Sequence, residues 1–253
     1  MKTKINHYLK QIAQDKDIKI LLACETGSRA WGFPSPDSDY DIRLIYLHKR
    51  DWYLGLIDQK DSLQIMYENN DLDFSGWELR KCLRLLMKSN AAFLERIQSP
   101  IIYQADTLFM NEIIPIAESC YSRRTTLHHY LGLAKRSYAD IINKKQYKLK
   151  KFFYALRAAI ACRWIVSKDQ MPPIEFQKML YVLDIDETII KRIENLIELK
   201  ATISESYLHE GDNEILEFIN NNINHAKQQA SEIPVTKCNI EKLNTFFIKS
   251  LSA

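Results

Sequence analysis

The sequence predicts an α/β domain followed by an all-helical C-terminal domain. Over residues 1–104, short apolar and β-branched runs alternate with turn residues, whereas beyond Asp106 strand signals largely stop and apolar residues recur at helical spacing. Glycine thins at the same place, with only Gly132 and Gly211 beyond it. A domain change is therefore expected near Ala105, giving domains 1–104 and 105–253.

Composition bounds the classes. With 253 residues, 46% hydrophobic and 26% charged, the chain matches a globular protein long enough to bury a core, which excludes a disordered tail. A net charge of +3 permits a nucleic-acid partner without demanding one. The opening MKTKINHYLKQIAQDKD has no apolar run long enough for a signal peptide, and no stretch approaches the length of a membrane span, so a cytoplasmic chain with no membrane partner is expected. Cys24, Cys82, Cys120, Cys162 and Cys238 are scattered without a C-x-x-C pair, and five is an odd number, so free buried thiols are expected. The six histidines lack zinc-ligand spacing.

Residues 6–13 form a first helix that turns Tyr8, Leu9 and Ile12 to the core. The apolar run 18–24 is a strand, and Gly27 follows it where the chain must turn sharply. A backbone without a side chain can approach phosphate oxygens there, and Ser28 adds a hydroxyl donor. Trp31 and Phe33 flank Gly32 as packing anchors or as a platform for a base, and Pro34-Ser35-Pro36-Asp37 is a turn-rich loop.

Residues 40–47 are the next strand. Alternation puts Asp39, Asp41 and Arg43 on one face and Tyr40, Ile42 and Leu44 on the other. Carboxylates side by side repel, so a cation is expected between them. Hard oxygen ligands suit magnesium or manganese, which take their remaining ligands from water and substrate phosphates, and a nucleoside triphosphate is the implied substrate. Arg29 and Arg43 are candidates for substrate contacts, with a structural ion pair to the carboxylates the other reading of Arg43.

Competing motifs are settled by position. Gly27 and Gly32 have P-loop spacing, but Phe33 and Pro34 stand where Lys and Ser or Thr are required. Asp37, Asp39 and Asp41 fit the start of an EF-hand loop, yet Ile42 replaces its glycine and His48 its closing glutamate.

Segments 63–67 and 71–74 read as strands around an Asn69-Asn70 turn. Asp73, flanked by Leu72 and Phe74, is the third acid, with Asp71 as its rival. Residues 76–89 make an amphipathic helix whose Arg80, Lys81, Arg84 and Lys88 form a basic face, either solvated or tracking an acceptor. A last short strand, 101–103, follows Ser99-Pro100.

Helices are then expected over 106–118, 125–143, 149–167, 174–183, 187–200, 213–225 and 239–251, broken at Pro172-Pro173, Gly211-Asp212 and Pro234. In 149–167, Phe153, Leu156, Ile160 and Trp164 form an apolar stripe, and Lys150, Tyr154 and Arg157 share another face. That polar row is either solvated or contacts substrate.

These residues carry a resemblance. Gly27-Ser28, then Asp39-Tyr40-Asp41-Ile42, then Leu72-Asp73-Phe74 resembles the signature of the DNA polymerase beta-type nucleotidyltransferase superfamily. More narrowly, GSRAWGFPSPDSDYDIR, DFSGWELRKCLRLLMKSNAAFLERIQSPIIY and KKFFYALRAAIACRWI look like the RlaP-type family, some of whose members are linked to RNA repair. The resemblance implies a polymerase beta-like core with a mixed sheet, binding ATP or another nucleoside triphosphate. It further implies that Gly27 and Ser28 hold the triphosphate, that Asp39 and Asp41 bind two magnesium ions, and that Asp73 completes the catalytic metal and helps deprotonate the acceptor hydroxyl. Lys150, Tyr154 and Arg157 would clamp triphosphate and base, as second-domain residues do in related enzymes. Asn90-Ala91 departs from the Asn-Pro common in the family at that place.

The expected activity is metal-dependent transfer of a nucleoside monophosphate to a hydroxyl, with an RNA end the first acceptor to test. A small-molecule or protein acceptor, or a non-catalytic nucleotide- or RNA-binding module, stays open at this point, as does the oligomeric state.

Overall fold

A computed structural model describes residues 1–68 and 71–252, so the expected Asn69-Asn70 turn lies outside the described residues. In chain order the first elements are α1 (Lys2–Asp15), β1 (Ile18–Glu25), α2 (Gly27–Trp31), β2 (Tyr40–His48), α3 (Arg50–Leu54), β3 (Ser62–Tyr67), β4 (Leu72–Glu78), α4 (Leu79–Met87), α5 (Ala91–Ile97), β5 (Ile102–Ala105) and α6 (Thr107–Cys120). There follow α7 (Arg123–Ala139), β6 (Tyr147–Lys148), α8 (Leu149–Ser167), α9 (Phe176–Val182), α10 (Glu187–Thr202), β7 (Leu208–His209), α11 (Asn213–Gln229) and α12 (Ile240–Ser250). No helix among the described residues is long and apolar enough to cross a membrane.

The chain forms two compact units. The first comprises Met1–Ala30, Asp39–Tyr121 and Lys237–Ala253; the second comprises Trp31–Ser38 and Ser122–Thr236. This division differs from the expected 104/105 boundary. α6 packs on α4 and α5, and α12 returns to pack on α4 and α6, so both stay with the sheet. Leu243 and Phe246 supply the buried face of α12.

In the first unit the sheet order is β3-β4-β2-β1-β5. β2 and β4 are parallel and the other pairs antiparallel, so the sheet is mixed. β1 sits between two neighbours, and its run IKILLACE is buried except at Lys19. Ile5, Leu9 and Ile12 of α1 pack with Ile20, Ile42, Leu44 and Phe74 on one face of the sheet. Each such side chain contributes about 1.5–3 kcal/mol on burial.

The helix expected from residue 76 starts instead at Leu79. Gly76 and Trp77 stay in the β4 ladder, and the buried Glu78 ends it by accepting the Arg80 and Lys81 amides at 2.7 and 3.1 Å. Asn90 likewise caps the unforeseen α5 by accepting the Phe93 amide at 3.0 Å.

The expectation of free thiols needs one correction. Cys120, at the end of α6, and Cys238, just before α12, are joined in a disulfide across 118 residues. Neither spacing nor local pattern marks such a pair, because only the return of the C-terminal segment brings the residues together. Cys24, Cys82 and Cys162 are free and buried, and burial pushes the thiols of Cys24 and Cys162 up to about 12. Thiol titration in denaturant should therefore count only those free cysteines before reduction and all five after it. Five without reductant would show that the bridge does not form. Replacing Cys238 with Ser should lower stability by up to about 4–5 kcal/mol, read from the denaturant midpoint.

The second unit is built on α8, buried on most of its circumference, with α7 and α11 packed along it. Phe153, Leu156, Ile160 and Trp164 are all buried, as their spacing predicts. A short antiparallel ribbon of β6 and β7 interrupts the helices. The segment Trp31–Ser38 is also part of this unit. Phe33 stacks on Phe153 and meets Phe176 edge-on, the Gln177 amide donates to the Gly32 carbonyl at 2.9 Å, and buried Lys200 donates to Ser35 Oγ at 2.9 Å. Its Pro34-Ser35-Pro36-Asp37 stretch, a turn-rich loop by sequence, is held through Ser35 and through Asp37, which accepts the Glu205 amide at 2.9 Å.

Candidate active site

Parallel pairing of β2 with β4 places Asp41 directly opposite Asp73, followed by Arg43 opposite Ser75. Strand alternation then puts both carboxylates and the Arg43 guanidinium on one face, while Ile42, Leu44, Leu72 and Phe74 fill the core on the other. Arg43 Nη2 donates to Asp41 Oδ1 at 2.6 Å and forms an ion pair with Asp73 Oδ2 at 3.0 Å. Its Nη1 donates to the Asp73 carbonyl at 3.0 Å. The guanidinium offsets the repulsion of the paired acids.

Asp73 Oδ1 is buried without a hydrogen-bond partner. A carboxylate oxygen in that condition costs energy unless a donor or cation meets it. Hard oxygen donors side by side, one of them unsatisfied and both already attracting a cationic group, fit a hard divalent ion. Among the described residues, however, no three His, Cys, Asp or Glu side chains form a metal-holding group. Asp39 is exposed and lies just before β2, outside the pair.

Gly27 closes the pair from the side of β1. Its φ of +64° is a left-handed conformation, and a Cβ there would stand 2.2 Å from Asp41 Oδ2. The glycine is needed because the backbone lies directly against the carboxylate. Ser28 and Arg29 follow in the short α2. Arg29 Nε donates to the Asp39 carbonyl at 3.1 Å, and its guanidinium lies 3.8 Å from the Tyr40 ring centroid.

Glu25, at the end of β1, escaped the sequence reading. It is fully buried, and its carboxylate accepts the Asp41 amide at 2.6 Å and the Tyr103 hydroxyl at 2.5 Å. Burial raises its pKa, and those two hydrogen bonds oppose the rise. The available signal was an acid closing a strand that is apolar and buried except at Lys19.

In the second unit Lys150, Tyr154 and Arg157 gather around Trp31–Ser38. Lys150 Nζ donates to Glu205 Oε2 at 2.7 Å, and Ser38 Oγ donates to Glu205 Oε1 at 3.0 Å. Tyr154 meets Trp31 edge-on. Arg157 is buried, with its guanidinium 4.4 Å from the Trp31 ring centroid and Nη2 donating to the Ile174 carbonyl at 3.2 Å.

Comparison with known proteins gives the family. The chain is 36% identical over 237 residues to the uncharacterized protein YcgL of Bacillus subtilis (strain 168), covering 94% of this chain and 91% of that protein. It is 31% identical over 137 residues to the uncharacterized protein MJ0002 of Methanocaldococcus jannaschii, covering 53% and 54% of the two chains. The crystal structure of a nucleotidyltransferase-like protein from Exiguobacterium sibiricum 255-15 is similar at a TM-score of 0.34 and 11% identity, covering 90% of this chain and 75% of that one. Residues 1–249, which carry the mixed sheet with its Asp41–Asp73 pair and the helical unit, match RlaP, and the chain belongs to that RNA repair pathway DNA polymerase beta family.

Proposed function

We propose that this protein transfers a nucleoside monophosphate from a nucleoside triphosphate to a hydroxyl, with an RNA end as acceptor. The observation that carries the reading is the in-register Asp41–Asp73 pair beside Gly27, with a buried oxygen of Asp73 left unsatisfied. Family membership supports nucleotidyl transfer.

In this reading Asp41 and Asp73, with Asp39 joining from the adjacent loop, hold magnesium or manganese. The ion, when bound, neutralises phosphate oxygens and acidifies the acceptor hydroxyl. Asp73 takes the proton as the acceptor oxygen attacks the α-phosphorus, and the bond to the β-phosphate breaks to release pyrophosphate. Gly27 lets the backbone approach the triphosphate and Ser28 donates its hydroxyl. Arg29 and Arg43 would neutralise phosphate charge on the substrate. Lys150, Tyr154 and Arg157 are proposed, within the second unit by itself, as substrate-binding residues.

The test is transfer from α-labelled ATP, CTP, GTP and UTP, with magnesium or manganese, to small RNAs and to lysate. Metal-dependent label in RNA, absent from the Asp39→Ala/Asp41→Ala variant, is expected. Label in protein would move the acceptor. No label anywhere would leave a nucleotide- or RNA-binding module.

A further inference from the structure

Both main-chain polar groups of Asp41 are held by the two residues that precede Gly27. Its amide donates to the Glu25 carboxylate at 2.6 Å. Its carbonyl accepts the Thr26 amide at 3.0 Å and the Thr26 hydroxyl at 3.2 Å. Glu25 is itself fixed from three sides. Its amide donates to the Ile101 carbonyl at 2.9 Å, its carbonyl accepts the Ser99 hydroxyl at 2.6 Å, and its second carboxylate oxygen accepts the Tyr103 hydroxyl at 2.5 Å.

This is an unusual use of a carboxylate. A fully buried acid is costly, and a strand end needs no side-chain acceptor to close its ladder. Glu25 instead ties β1, β2 and β5 together at Asp41, whose side chain lies against Gly27 and Arg43. A slip of the Asp41 peptide would carry its carboxylate away from Asp73 and from the Gly-Ser turn together.

We infer that Glu25 is a positioning residue for Asp41, acting through the Asp41 amide; this rests on the nucleotidyl-transfer reading only for its effect on rate. The ordering of the Asp41 peptide follows from the hydrogen bonds alone. Glu25 needs its length, an acceptor oxygen for the Asp41 amide and a second hydrogen-bonding atom for Tyr103. Its negative charge is secondary.

Three variants separate those properties. Glu25→Gln keeps the length, can accept the Asp41 amide and can donate to Tyr103. Glu25→Asp keeps the charge but is too short to reach both partners at once. Glu25→Leu removes both acceptors. Hydrogen exchange at the Asp41 amide, relative to Ile42 and Arg43 in the same strand, is measured by NMR without substrate or metal, beside kcat and KM for transfer.

Asp41 exchange should quicken by about tenfold or more in Glu25→Asp and Glu25→Leu, consistent with the loss of one buried hydrogen bond. Glu25→Gln should exchange at the wild-type rate. Transfer should follow the same order, with kcat falling on the order of 100-fold in the Asp and Leu variants, as expected for a reacting group moved by about an ångström, and KM nearly unchanged. Glu25→Gln should stay within about threefold of wild type in kcat.

Unchanged Asp41 exchange in Glu25→Asp overturns the inference, as does a Glu25→Gln variant that loses as much kcat as Glu25→Asp. A wild-type protein without transfer would refute the proposed activity, and the exchange rates would still decide the role of Glu25. Should Glu25→Leu fail to fold, the Gln and Asp variants carry the decision between them.

Discussion

Asp73→Asn should reduce nucleotidyl transfer by about 10³-fold or more while leaving the fold in place. The substitution preserves volume and keeps the Asp73 carbonyl that Arg43 contacts at 3.0 Å, so the guanidinium retains that bond and its 2.6 Å pairing with Asp41. The lost ion pair is partly exposed, with side-chain exposures of 18% and 20%, and such pairs contribute about 1 kcal/mol or less. Chemistry is affected far more. The amide supplies neither the charge that holds a divalent cation nor a proton acceptor for the attacking hydroxyl, and several kcal/mol of barrier correspond to that fold-change. Transfer rates and thermal melts on the same preparation check both halves. A variant within about tenfold of wild type would remove Asp73 from the reaction. Asp41→Asn should behave in the same way.

Gly27→Ala should be the second severe change, for a reason visible in backbone geometry. Any L-residue at φ +64° meets the left-handed penalty of roughly 1–2 kcal/mol. The added methyl also falls 2.2 Å from Asp41 Oδ2. The far end of an aspartate can usually rotate away cheaply. Here its other oxygen is held at 2.6 Å by Arg43 and its backbone by Glu25 and Thr26, so relief means turning the carboxylate out of the pair. Transfer should fall by about 100-fold or more, with a stability loss of only about 1–3 kcal/mol. Because both changes displace the same carboxylate, Gly27→Ala should add little to the loss already caused by Asp41→Asn. Additive losses would mean that Gly27 serves the triphosphate independently of Asp41. Full activity and an unchanged melt would show that the turn tolerates a side chain.

Local pattern was enough for much of this protein. Alternation along residues 40–47 separated Asp41 and Arg43 from Ile42 and Leu44, as the buried face of β2 confirms, and helical spacing marked Leu149–Ser167 at its observed limits. Asp73 was legible because its apolar neighbours Leu72 and Phe74 had to be core. Caps explain why two helices begin one residue after an expected start, since Asp106 and Asn239 accept amides from the first turn, while Asp212 caps a helix that begins where expected. The short α2 and α3, at five residues each, carry too little periodicity to be seen.

What the sequence by itself determined is the strands of the main sheet and the longer helices, the side chains each strand turns to one face, and the family, because these rest on period, caps and motif spacing within a few dozen residues. Only the tertiary structure decided that Asp41 stands opposite Asp73 in parallel register, that Glu25 holds the Asp41 amide, that Trp31–Ser38 belongs with the helical unit, and that Cys120 is bonded to Cys238. Each of these is a choice of partner across long stretches of chain. Periodicity tells a residue which way to face, while packing of distant segments chooses what it meets.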